Sequence, residues 1–133
     1  MDFSELIKPG VTTQKDETVT KNNTASAIGS GGIDVFSTPS MISLMEQVAY
    51  SAVQPLLPAG WSTVGTELNV KHLSATPLGM KVHATAELLA IDGRALSFKV
   101  EAFDEAGKIG EGIHGRFIIE VEKFISKTQG KKA

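Results

Sequence analysis

The sequence predicts an α+β domain in which a curved antiparallel β-sheet wraps one long central helix. Three observations predict it. One strongly amphipathic helical segment runs from Thr38 to about Val53. The second half of the chain keeps a period of two. Each strand so defined has one apolar face, and the helix is the only large apolar object that could cover those faces. At 133 residues the chain is read as a single domain, 1–133. Residues 1–9 are read as an N-terminal segment and 125–133 as a basic tail, both outside the core.

The elements follow in order. A break at Pro9-Gly10 precedes a polar, strand-like run from Val11 to Thr20, rich in Thr and Val. Thr24 to Ile28 leads into the glycine-rich stretch Gly29-Ser30-Gly31-Gly32. Ser37 and Thr38 can each cap the helix, and Pro39 fits its first position, where a missing N–H costs nothing. Met41, Leu44, Met45, Val48, Ala49, Ala52 and Val53 recur at spacings of three and four, and Pro55, Pro58 and Gly60 end the segment. In the next strand Val64, Thr66, Leu68, Val70 and His72 alternate with Gly65, Glu67, Asn69 and Lys71. Beyond the turn Pro77-Leu78-Gly79, Met80 to Ala90 alternates again, with His83 on the polar side beside Lys81 and Glu87. Asp92-Gly93 is a hairpin signal that leads into Leu96, Phe98, Val100 and Ala102. A turn at Asp104–Gly107 returns the chain into a strand whose apolar face is read as Ile113, Gly115, Phe117, Ile119 and Val121.

Composition removes several functional classes. A net charge of −2 gives no general pull toward nucleic acid or a membrane surface. Cysteine is absent, so disulfide frameworks and thiolate metal sites are excluded. The three histidines lack ligand spacing, and no metal or cofactor is expected. Neither a leader-like segment nor an apolar run near eighteen residues is visible, and a cytoplasmic protein is expected. The acceptor pattern Asn22-Asn23-Thr24 would then be idle.

Within this frame Thr38 stands at the mouth of the helix, Glu46 sits beside its apolar stripe, and His72 shares a strand face with Leu68 and Val70. A lone carboxylate near a core is costly unless paired or used. A helix N-terminus offers unpaired N–H groups and a positive dipole end to an oxygen gaining charge, and an imidazole nearby can exchange protons near neutral pH. Each residue also has a plainer reading: Thr38 as a cap, Glu46 in solvent or paired with Lys71, His72 as a hydrogen-bonded core histidine. His114 and Arg116 fall on the face opposite Phe117, where they serve structure or meet an anionic group of a ligand.

The sheet-around-helix arrangement is that of the hot-dog fold, and particular residues carry a resemblance. Gly29-Ser30-Gly31, Val35, Thr38-Pro39, Met45-Glu46 and His72 ahead of Ala75-Thr76-Pro77-Leu78-Gly79 resemble the thioesterase family that includes fluoroacetyl-CoA thioesterase. Glu87-Leu88, Asp92-Gly93-Arg94, Leu96-Ser97-Phe98 and Gly112-Ile113-His114-Gly115-Arg116 extend the resemblance over nearly residues 10–124. It implies a dimeric hydrolase of acyl-CoA thioesters, with CoA as part of the substrate. Thr38, Glu46 and His72 take the catalytic positions, and Gly65 and Arg116 the substrate-contacting ones. Where the fluoroacetate enzyme carries a bulky gate this chain has Gly31-Gly32, so the resemblance carries the triad without fluoroacetyl specificity.

Helix geometry adds one expectation. Eight residues separate Thr38 from Glu46, about 12 Å of rise and roughly 80° of net rotation, too far for both to touch one small acyl group. The sites are therefore expected at the interface of a homodimer, with further pairing into tetramers left open. Two other functional classes stay open on sequence alone: a hot-dog enoyl-CoA hydratase, for which Asp34 lacks a neighbouring histidine, and a non-catalytic acyl-CoA or small-ligand binding protein.

Overall fold

The computed structural model describes residues 1–132. After a 3-10 turn at Phe3–Glu5 come β1 (Thr12–Thr18), the short α1 (Ala25–Ile28) and α2 (Thr38–Val53). The chain continues through β2 (Trp61–His72), β3 (Lys81–Asp92), β4 (Ala95–Asp104), β5 (Gly107–Glu120) and α3 (Val121–Gln129). The five strands form one antiparallel sheet in the order β1-β3-β4-β5-β2. Both outer strands, β1 and β2, have a free edge within the chain.

The helix has the expected bounds because its ends are written locally. Ser37 is the cap, its Oγ accepting the N–H of Ser40 at 3.1 Å, while Thr38 and Pro39 are the first two helical residues. Thr38 is thus freed from capping. All seven residues of the expected apolar stripe are buried, facing Val82, Ala84, Ala86 and Leu88 of β3 and Leu96, Phe98, Val100 and Ala102 of β4. Alanines on the sheet let the helix approach closely, and the tight hairpin at Gly93-Arg94, with Gly93 at φ +63°, fixes the β3–β4 register.

Four expectations need correction. The segment 1–9 is no appendage: Phe3 and Ile7 are fully buried, and Phe3 packs edge-on against Trp61 with ring centroids 5.0 Å apart. Both side chains belong to the same core cluster as Val48, Ala52 and Val53 of α2. In β5 the faces are reversed. His114, Arg116 and Ile118 point inward, whereas Ile113 and Phe117 are 38% and 40% exposed. In β2 a bulge between Gly65 and Glu67 switches the alternation. Thr63 and Gly65 therefore share the inner face with Leu68, Val70 and His72, opposite Ile118, Arg116, His114, Gly112 and Gly110. Finally, β5 ends at Glu120, and Val121 opens a helix with no buried residue.

Candidate active site

Two polar clusters lie along the inner edge of the sheet where β2 and β5 run beside α2. The first is at the helix mouth. Thr38 Oγ1 and His72 Nδ1 are 2.7 Å apart, a side-chain hydrogen bond across 34 residues of sequence. His72 reaches Thr38 because the bulge puts it on the inner face of β2, while α2 begins with Thr38 at its first turn. The other ring nitrogen, Nε2, is buried and has no hydrogen-bond partner among the described residues. Burial holds the imidazole below its ordinary titration range. The ring is then neutral at pH 7, with one nitrogen engaged by a hydroxyl and the other free to exchange a proton. A cleft of about 300 Å³ opens beside this pair, its wall mixing Val35, Phe36, Leu73, Ala25 and Ala75 with Ser30 and Ser74.

Backbone donors at the mouth are few. Ser37 takes the N–H groups of Ser40 and Met41, and Pro39 has none, which leaves the N–H of Thr38 as the donor the helix can offer a carbonyl oxygen.

The second cluster is built around Glu46. Its Oε2 lies 4.0 Å from Arg116 Nη1, an ion pair that replaces the pairing with Lys71 considered from sequence. Arg116 is 7% exposed. Its Nε donates to Thr63 Oγ1 at 2.8 Å, its Nη2 to the Thr63 carbonyl at 3.0 Å, and its Nη1 lies 3.2 Å from His114 Nε2. A guanidinium so enclosed forms a wall beside the carboxylate. Gly65 completes the arrangement. A Cβ there would stand 2.9 Å from Glu46 Oε2 and 3.3 Å from His114 Cε1, so the missing side chain is what admits the carboxylate.

Thr38 and His72 are thus joined directly, and Glu46, Gly65 and Arg116 are joined to one another. The regular helix between them keeps Thr38 and Glu46 about 12 Å apart in rise. Sequence reasoning did not find Thr63, whose role depends on the register shift in β2, and it left His114 undecided. Asp34 accepts a hydrogen bond from Ser26. A larger groove of about 390 Å³ lies on the outer sheet face among Lys71, Lys99, Lys108, Glu101 and Glu111. Lys108 spans Glu101 and Glu111 at 2.6 and 3.0 Å, so its charges largely satisfy one another. No helix among the described residues is long and apolar enough to cross a membrane.

Comparison with known proteins identifies the family. A family model described as fluoroacetyl-CoA-specific thioesterase matches residues 19–122. The fluoroacetyl-CoA thioesterase of Streptantibioticus cattleyicolor is 43% identical over 98 residues, covering 74% of this chain and 70% of that protein. A solved structure of a fluoroacetyl-CoA thioesterase superposes with a TM-score of 0.88 at 35% identity, over 94% of this chain and 97% of the other. A thioesterase superfamily member from Thermus thermophilus gives 0.88 at 26% identity, over 95% and 93% of the two chains. The hot-dog-like protein from Thermanaerovibrio acidaminovorans, at 23% identity, shares the fold with a TM-score of 0.92 over 100% and 98%. With the matched segment running from the end of β1 to the start of α3, the chain belongs to the fluoroacetyl-CoA-specific thioesterase family and has its hot-dog fold.

Proposed function

We propose that this protein hydrolyses the thioester of a small acyl-CoA to the free acid and CoA, as a cytoplasmic homodimer with CoA entering only as part of the substrate. The observation that carries the reading is the Thr38–His72 hydrogen bond at the mouth of α2, with His72 Nε2 buried and unpartnered among the described residues and a cleft opening beside the pair. A thioester carbonyl seated there meets the Thr38 N–H and the positive end of the helix, which stabilise charge developing on its oxygen. The hydroxyl–imidazole pair supplies a nucleophile or oriented water and a group to carry its proton toward the departing thiolate.

The acid group of the site comes, in this reading, from the Glu46 of a second copy. Within one chain Glu46 is two helical turns from Thr38, and its neighbours are Arg116 and Gly65. The free edge of the twelve-residue β2 supports pairing between copies, since an unpaired edge of that length is otherwise a template for association. Gly65 and Arg116 then border the acyl end of the site.

The test is thiol release across short, branched, aromatic and carboxylated acyl-CoAs, fluoroacetyl-CoA included. Thr38→Ala, His72→Ala and Glu46→Gln are each expected to lower kcat by about a hundredfold or more while the fold survives. Purified heterodimers of Thr38→Ala and Glu46→Gln subunits would regain one intact site and about half the wild-type rate. Heterodimers no faster than either parent would refute the shared site. Thermal protection by CoA without turnover of any thioester would refute the activity.

A further inference from the structure

The inner face of β5 carries a fully buried histidine that the reaction outlined above does not use. His114 has no solvent exposure and lies opposite Leu68 on β2 and Phe98 on β4. Its Nδ1 is 2.8 Å from the Glu67 carbonyl oxygen. A carbonyl only accepts, so Nδ1 carries the hydrogen and Nε2 presents its lone pair. That lone pair faces Arg116 Nη1 at 3.2 Å, and a guanidinium only donates. Each bond therefore fixes the direction of the next, from the β2 backbone through the imidazole to the guanidinium.

The same Nη1 is the Arg116 atom nearest Glu46, at 4.0 Å. Thr63 holds the far edge of the guanidinium through Nε and Nη2, while among the described residues His114 alone holds Nη1 by a hydrogen bond. Glu46 Oε2, His114 Cε1 and Arg116 Nη1 all crowd the place where a Gly65 side chain would be. We propose that His114 is a positioning residue for thioester hydrolysis: by anchoring Nη1 of Arg116 it fixes where the Glu46 carboxylate stands. The inference rests on the reading of Glu46 as a working group of the site.

Two substitutions separate this role from a purely structural one. His114→Asn keeps a donor where Nδ1 lies and loses the acceptor for Arg116; His114→Gln does the reverse. With acetyl-CoA, or with the thioester turned over fastest in the screen, His114→Asn should lower kcat by about tenfold or more with KM changed less than about twofold. His114→Gln should return kcat to within about threefold of wild type, although it melts at lower temperature than His114→Asn because the Glu67 carbonyl loses its donor. In a Glu46→Gln background the His114→Asn loss should vanish.

Rates that follow the melting temperatures of the two variants, or an undiminished His114→Asn loss beside Glu46→Gln, would overturn the proposal. If Glu46→Gln alone turns over at the wild-type rate, the reading of Glu46 fails first, and that single variant reports it. Imidazole nitrogen NMR on the unaltered protein gives a check independent of folding in the variants. At pH 7 His114 should show the neutral Nδ1–H tautomer; an Nε2–H tautomer or an imidazolium would refute the chain of bonds.

Discussion

Two inward glycines at the β2–β5 seam should respond to the same substitution in opposite ways. At Gly65 an added Cβ meets the end of a flexible side chain, Glu46 Oε2, at 2.9 Å. The optimum for such a contact is roughly 3.5 Å, so the carboxylate must retreat by about 0.6 Å. It can do so by rotating, because the side chain is 39% exposed, and the fold should lose less than about 1 kcal/mol. A displacement of that size from a working geometry costs on the order of tenfold in rate. At Gly112 the added Cβ is driven into the Asn69 carbonyl and stands 2.5 Å from Val70 Cα. Backbone of a paired strand cannot rotate away, and Gly112→Ala should cost about 3 kcal/mol or more.

The assay is a pair of measurements on each variant: kcat for thiol release at saturating acyl-CoA, and the thermal midpoint. Gly65→Ala is expected to keep its midpoint within a few degrees and lose roughly tenfold in kcat. Gly112→Ala is expected to unfold at a temperature lower by about 10 °C or more. A Gly65→Ala protein with wild-type kcat would refute the claim that the space beside Glu46 matters to the chemistry. Equal loss of midpoint in both variants would refute the distinction between a yielding side chain and an unyielding backbone.

Further outcomes follow from burial and titration. Phe3→Ala should destabilise by about 3 kcal/mol, and removal of residues 1–9 by at least as much, because Phe3 and Ile7 are core residues; unchanged melting would refute their place in it. His72 and His114 both titrate below the ordinary histidine range, chiefly through burial. Their unfolded values lie near 6.5, so the stability they contribute is full above about pH 6.5 and is lost as pH falls toward the lower folded values. The thermal midpoint should therefore drop between pH 7 and 5, and His114→Gln should flatten that drop; a midpoint that rises on acidification would reverse the sign of the argument. Glu101, held below the usual carboxylate range by its hydrogen bond to Lys108, keeps its full contribution through this window and loses it only as pH falls below about 4.5.

The parts of the fold that were legible are those whose signals are local. Ser37, Pro39, the three-and-four spacing and Pro55 together mark α2, and its bounds agree at both ends. Strand existence was equally plain, since each of β2 to β5 runs for ten residues or more and most of its length alternates. Strand facing was another matter. Alternation says that two faces differ, and it names the inner one only if apolar residues occupy it. In β5 the inner positions hold Gly110, Gly112, His114 and Arg116, and the outer ones Ile113 and Phe117. The rule inverted because close approach and site chemistry had taken the inner face. The β2 bulge is equally silent, since one unpaired residue leaves no compositional mark. The α3 helix was hidden because Val121, Phe124 and Ile125 can be read as the end of a strand as easily as a short amphipathic turn.

The misreadings of β2 and β5 therefore have one origin, and it bears on function. A strand in a small domain gains most by putting its large apolar residues inward, so a strand that puts a histidine and an arginine there gives up burial energy. Such an exchange is tolerable only when the polar groups satisfy one another, as Arg116 does through Thr63, His114 and Glu46. The Glu46 carboxylate, in turn, remains substantially exposed while its charge is matched from the buried side. A group anchored from within and open from without can be held in place for a substrate, or for a second copy of the chain, without collapsing into the core. The bulge serves the same end, because with strict alternation Gly65 and His72, seven positions apart, would lie on opposite faces. By shifting the register once it puts the gap beside Glu46 and the imidazole beside Thr38 on one inner surface. Deleting Thr66 to restore regular pairing should therefore leave β2 able to form and yet break one of the two clusters, whichever half of the strand keeps its facing.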